Sequence, residues 1–407
     1  MNKDSVTRIK SPSGGVLASG GFIASGVECG IRRVGELDLG LLYSEAPCTS
    51  AAVFTRNALK GAPLVVTGEA VDGGDVRAVV VNSGNANAAT GERGIKDAKE
   101  MQKIAATSLG LSAFEVAVAS TGVIGEHLPM GRVEAGIRAA SESLAPEGER
   151  FAEAILTTDT RIKQAATQVD IGDKTITVGG TAKGSGMIHP NMGTMLAFLT
   201  TDAKVEKSCL QETLNTATER AFNRVTVDGD TSPSDMAVFL ANGAAENEEI
   251  TNDHPGCKEF AGAVEEVSRS LAKDIARDGE GATKLIEVVV EEAKDESSAA
   301  ALAKSVVGSN LLKAAVFGED ANWGRALNAM GYSGVAFDPE HVRISFGPVE
   351  VFKDGEPAEH DVKDANAALA GNEVVISIRM GEGTSSAKAW GCDLTYGYVE
   401  INGSYRT

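Results

Sequence analysis

At 407 residues the chain is long enough to bury a sizeable core, and its length suggests two or three folding units. Its formal net charge of −19, from 38 Lys and Arg against 57 Asp and Glu, argues against a nucleic-acid or anionic-membrane partner. The five cysteines (Cys29, Cys48, Cys209, Cys257, Cys392) are odd in number and lack metal-type spacing, the N-terminus has no continuous apolar stretch, and no run is apolar enough to cross a bilayer, so a soluble cytoplasmic protein with reduced thiols is expected.

The first 60 residues mix Gly-rich turns with short alternating runs at 40–43 and 51–54. Residues 64–67 and 76–81 read as strands, the second buried on both faces. The second runs into Asn82-Ser-Gly-Asn-Ala-Asn87, a loop whose amides can pin neighbouring backbone or support a site. Residues 94–109 have helical periodicity, with Ala98, Met101, Ile104 and Ala105 on one face. A strand at 116–119 leads to Ser120-Thr121-Gly122, a turn whose backbone N–H groups can stabilise an oxyanion or simply end the strand. Residues 132–144 form another amphipathic helix. Leu156-Thr157-Thr158-Asp159-Thr160 gathers hydroxyls and one carboxylate, which in most chains is strand surface. Residues 174–178 alternate as a strand.

The centre of the chain is Thr181-Ala-Lys183-Gly-Ser-Gly-Met-Ile-His-Pro-Asn-Met-Gly193-Thr194, followed by the apolar run Met-Leu-Ala-Phe-Leu. The Gly- and Pro-containing half reads as an ordered loop and the apolar run as a buried strand. Thr194 therefore stands at a loop-to-strand junction. Two readings are open there: an ordinary strand start, or a nucleophile made by cutting the chain at Gly193–Thr194. The second would free an α-amine beside the Thr194 hydroxyl, and an α-amine, with a pKa of about 7.7–8.0, can act as its base.

Further on, residues 205–224 read as a helix. Thr226-Val-Asp228-Gly-Asp230-Thr-Ser-Pro233-Ser-Asp235 is acidic but fails as a calcium loop: its sixth position is Pro233 and its twelfth Phe239. A strand at 236–241, a helix at 258–275 and a strand at 285–290 follow. Glu280 precedes that strand between two glycines, as a surface charge or as a carboxylate projecting into a cleft. Residues 298–313 read as helix, and 373–379 and 387–401 as strands. Trp323 reads as a core anchor or a pocket wall. The five histidines show no ligand spacing, so no metal site is expected. No nucleophile elbow, Rossmann or P-loop glycine pattern is present. Alternating strands and helices on both sides of Thr194 indicate α/β or α+β.

The run from Lys183 to Leu196 resembles the self-cleavage motif of the ornithine acetyltransferase (glutamate N-acetyltransferase) family. The resemblance extends to Asn82–Asn87, Thr121-Gly122, the Thr226-Val-Asp-Gly-Asp-Thr-Ser run and Gly318-Glu-Asp-Ala321-Asn-Trp-Gly-Arg325, where a proline often stands in place of Ala321. It implies a layered sheet-and-helix fold of the self-processing N-terminal-nucleophile type, cut into residues 1–193 and 194–407 and assembled as a heterotetramer of two of each. It implies Thr194 as nucleophile, Thr121 and Gly122 as oxyanion hole, and Thr157 (with Thr158 the alternative), Lys183, Thr194, Glu280, Asn402 and Thr407 as substrate contacts. The activity implied is acetyl transfer from N2-acetyl-L-ornithine to L-glutamate in arginine biosynthesis. No external cofactor is implied, though some members also use acetyl-CoA as donor. The rivals are a self-processing amidase or aminopeptidase of similar fold and a non-enzymatic binding protein. Charge complementarity suggests that Lys183 takes an amino acid's carboxylate and Glu280 its amine.

Overall fold

The structure, a computed structural model, describes residues 14–189 and 195–403. The described residues form two compact units, one from the described parts of Met1–Gly184, Asn191–Asn223 and Thr231–Leu271, the other from those of Ser185–Pro190, Arg224–Asp230 and Ala272–Thr407.

The first unit has two sheets. One carries Phe22–Val27, Leu39–Ser44, Ala78–Asn82 and Val116–Ser120 in that order, antiparallel except for the parallel last pair. The other runs Thr49–Phe54, Met236–Ala241, Leu196–Thr201, Lys174–Lys183, Lys163–Ile171. Successive side chains on a strand point to opposite faces, and this alternation builds the layers. Val79, Val81, Ala117 and Ala119 join Leu196, Phe198, Val238 and Leu240 in a core between the sheets. Ala78, Val80, Val116 and Val118 point the other way, into a core with the helices Gly91–Leu109 and Met130–Glu142. The Val-rich strand is thus buried on both faces, as its composition predicts. On the second sheet, Phe239 stacks at 6.2 Å on Phe260 of the helix Cys257–Arg277.

The second unit is built on one mixed sheet in the order Glu356–Pro357, Val349–Lys353, Arg343–Phe346, Glu373–Arg379, Leu285–Ala293, Ser385–Cys392, Val225–Thr226. Ile286, Val288, Val290, Ile344, Ile376 and Ile378 supply its buried face. Leu302, Val306, Leu312, Ala326 and Met330, from the helices Glu296–Val307, Asn310–Phe317 and Trp323–Gly331, cover it. Trp323 stacks on Phe352 with ring centroids 5.1 Å apart and packs on this core, which favours the core-anchor reading.

Several elements differ from the sequence reading. Residues 64–67 lie in a helix, Ala62–Gly73, not a strand. The 298–313 helix is two helices, broken at Gly308 and Ser309. The last alternation ends as a strand at Cys392, and Tyr396–Gly403 is a helix. No single described helix is long and apolar enough to cross a membrane.

Candidate active site

The strand Val116–Ser120 delivers Thr121 and Gly122 to the end of its sheet. The amide-rich loop after Ala78–Asn82 braces them. Thr121 N donates to Asn82 O at 3.0 Å and Val123 N to Gly84 O at 3.2 Å. Ser120 Oγ donates to Asn82 Oδ1 at 2.6 Å, and Asn85 Nδ2 reaches the carbonyls of Glu126 and His127. The Asn82–Asn87 loop is therefore a scaffold for the Thr121–Gly122 turn. Gly122 sits at φ +132°, and a Cβ there would lie 2.3 Å from the carbonyl carbon of Gly84. Only glycine fits that approach. Among the described residues Gly122 N has no acceptor in the protein, so it is available to an incoming oxyanion.

Lys183 is the last residue of the strand Lys174–Lys183 and is 8% exposed. The sequence placed it in a loop. The strand instead runs through to it, because ladders on both sides, to Lys163–Ile171 and Leu196–Thr201, satisfy its backbone. Its Nζ donates to Thr121 Oγ1 at 3.0 Å, in a buried contact. An ammonium has hydrogens to give and no lone pair to accept with. Thr121 Oγ1 must therefore accept, and its own proton is left for another partner. The lysine turns the threonine hydroxyl into a donor.

Asp159 ties the Thr157 turn to the same place. Its side chain is fully buried; its Oδ2 accepts Thr157 N at 3.1 Å, and its Oδ1 accepts Gly184 N and Lys163 Nζ, each at 2.6 Å. Burial pushes its carboxyl up, but the Lys163 and then the Lys183 ammonium outweigh this and hold it at about 2. Thr157 O accepts from Arg32 Nη2 at 3.2 Å.

Glu280 belongs to the second unit and is buried. Its carboxylate packs against Gly186, where a Cβ would lie 2.3 Å from Glu280 Cδ, so a side chain there would displace it. Its N donates to Ser185 O at 3.1 Å. Asn402 Nδ2, on the Tyr396–Gly403 helix, donates to Glu280 Oε2 at 2.7 Å. In the same unit Asp228 accepts Met187 N at 2.6 Å and Ile188 N at 2.8 Å, anchoring the segment that leads toward Gly193. His189 is drawn down to about 4 by burial and Lys304, against Asp228, and is neutral at pH 7.

So Thr121 and Lys183 meet, with Gly122 beside Thr121 and Thr157 held through Asp159, while Glu280 and Asn402 meet in the other unit. Gly193, Thr194 and Thr407 lie outside the described residues.

Residues 23–407 match the ArgJ family. The chain belongs to the ArgJ family. An arginine biosynthesis bifunctional protein ArgJ from Symbiobacterium thermophilum is 54% identical over 398 residues, covering 97% of this chain and 99% of that protein. One from Bacillus subtilis is 50% identical over 408 residues, covering 100% and 99%. Similar solved structures include an ArgJ from Bacillus halodurans, 48% identical, with TM-score 0.50, covering 51% of this chain and 98% of the crystallised one. Another is an ornithine acetyltransferase from Mycobacterium tuberculosis complexed with ornithine, 42% identical, with TM-score 0.43, covering 46% of this chain and 99% of that one. The layered α/β fold and the family are those read from the sequence, and the chain is an acyltransferase of arginine biosynthesis.

One residue escaped the sequence reading, and the partners of another were hidden from it. Lys163 carries no motif, and only its spacing of four from Asp159 hints at a pair. Asp228 stood in an acidic run whose partners, Met187 and Ile188, are far away in sequence.

Proposed function

We propose that this enzyme transfers acetyl from N2-acetyl-L-ornithine to L-glutamate by a ping-pong route through an acetyl ester on Thr194, after the chain cuts itself at Gly193–Thr194. Thr194 Oγ attacks the acetyl carbonyl and its proton passes to the Thr194 α-amine. The tetrahedral oxyanion takes hydrogen bonds from Gly122 N and the Thr121 hydroxyl. The C–N bond breaks, the α-amine returns its proton to the departing ornithine amine, and the acetyl stays on Thr194. Glutamate's amine then attacks the ester, and the same steps run in reverse. In this reading Lys183 takes the amino acid's carboxylate and Glu280, steadied by Asn402, takes its amine. Thr157 and Thr407 complete the substrate contacts.

The observation that carries this reading is the buried Lys183–Thr121 contact beside Gly122, which makes two donors available at one turn. Support for the cut comes from the crystallised Bacillus halodurans chain. It is 98% covered by only 51% of this chain, whereas full-length relatives are matched end to end. Leu196, two residues after Thr194 in the sequence, is paired in register with Lys183. The name bifunctional given to the relatives fits acetyl-CoA as a second acetyl donor. The reading further entails a heterotetramer of two 1–193 and two 194–407 chains in the cytoplasm.

The test is transfer itself. Purified enzyme given acetylornithine and glutamate should release ornithine and N-acetylglutamate. Thr194→Ala should do neither that nor cut its chain, and a Thr194→Ala protein that transfers acetyl would overturn the mechanism.

A further inference from the structure

Next to Lys183 lies a second and deeper lysine that this chemistry leaves unused. Lys163 and Asp159 have no exposed side-chain surface, and their 2.6 Å ion pair is fully buried. Taking both ions out of water is so unfavourable that such a pair adds little stability over apolar packing. Its place in the fold is specific. Lys163 is in register with Ala182, the neighbour of Lys183. Both carboxylate oxygens of Asp159 are engaged, by Lys163 Nζ, Gly184 N and Thr157 N. Two ammonium groups thus act on one carboxylate.

We infer that Lys163 is a positioning residue for Lys183: by occupying Asp159 it keeps that carboxylate from drawing the Lys183 ammonium away from Thr121 and from the substrate's carboxylate. The inference rests on the proposed role of Lys183. A buried carboxylate stripped of its ion pair is costly, and it is relieved by a proton or by drawing in another cation. Lys183 already contributes to the field that holds Asp159 ionised. If it turned to Asp159 it would leave Thr121 Oγ1, and the threonine hydroxyl would no longer be held as an acceptor.

The experiment compares two acetyl donors, N2-acetylornithine and its α-carboxamide, on purified, cleaved enzyme. The readout is the ratio of kcat/KM for acid over amide, which does not depend on how much of a sample is folded. Lys163→Met should lower this ratio about tenfold or more, the scale of one lost charge-assisted hydrogen bond. Lys183→Met should lower it as far. The paired Asp159→Asn/Lys163→Met enzyme, with no carboxylate competing for Lys183, should return to within about threefold of the parent, as coupled sites do when both partners are removed. A Lys163→Met enzyme with the parent's ratio, beside a Lys183→Met enzyme that has lost it, overturns the inference and leaves the site reading standing. A Lys183→Met enzyme that keeps the ratio overturns both. Should Lys163→Met not fold, the paired variant decides: a ratio near the parent's upholds the inference, and one as low as that of Lys183→Met overturns it.

Discussion

Gly122 is where geometry constrains chemistry most tightly. Its φ of +132° and its approach to Gly84 leave no room for a side chain. Gly122→Ala should push the turn away from Asn82 and Gly84 and lower kcat by about 10²–10³, the usual loss for one oxyanion donor. Steady-state kinetics on cleaved protein would check it, and unchanged kcat would remove Gly122 from the hole. Asp159 gives a pH prediction. Its carboxyl lies near 2 in the folded protein against an ordinary 3.8, so a depressed acid is involved. Its stabilisation is complete above pH 3.8 and disappears as pH falls through about 2. Acid unfolding followed by circular dichroism should be shallower over that window in Asp159→Asn/Lys163→Met than in the parent. Equal slopes would show that Asp159 does not titrate as described. At this scale the likeness to family motifs pointed to Thr121, Gly122, Lys183 and Glu280, and the structure places Lys183 against Thr121. The bond between Lys183 and Thr121 joins residues 62 positions apart, and only the folded sheets bring them together.

Helices were legible where one face is apolar and lost where burial is all-round or absent. The helix Gly91–Leu109 shows its stripe because one side meets the core. The helix Ala62–Gly73 is buried on two sides, with Leu64 in the inter-sheet core and Ala62 and Val66 in the outer one, so its sequence has no helical period and reads as a strand. Pro63 in its first turn, after Gly61, was the available signal. The Tyr396–Gly403 helix fails for the opposite reason. None of its residues is buried, and Val399 and Ile401, separated by Glu400 and followed by Asn402, only mimic alternation. The break after Val307 is capped: Ser309 Oγ accepts Leu312 N at 3.3 Å and starts a new helix. Ser309→Ala should cost about 1 kcal/mol of stability by urea unfolding, the typical value of an N-cap, and no shift in the midpoint would mean that the cap contributes nothing. Phe239, stacked on Phe260 and fully buried, ties the Met236–Ala241 strand to the Cys257–Arg277 helix. Phe239→Ala should cost about 3–5 kcal/mol, as large cavities in cores do, measured in the same way.

At the scale of the molecule, the proposed cut does not divide the first unit. Its five-stranded sheet takes Thr49–Phe54, Lys174–Lys183 and Lys163–Ile171 from before Thr194, and Leu196–Thr201 and Met236–Ala241 from after it. The two later strands lie between earlier ones, hydrogen-bonded on both sides. Fragments 1–193 and 194–407 should therefore co-elute in native size exclusion and part only in denaturant. Separation of native fragments would contradict this interleaving. The order of strands could not be read from the sequence, because a crossover leaves no mark in local periodicity. The central claim is that Thr194 becomes a chain's first residue. The most direct measurement is denaturing intact mass spectrometry of freshly purified protein. The account predicts two species with the masses of residues 1–193 and 194–407, the second gaining one acetyl group when acetylornithine is added alone. A single uncut chain that transfers acetyl at full rate would contradict it.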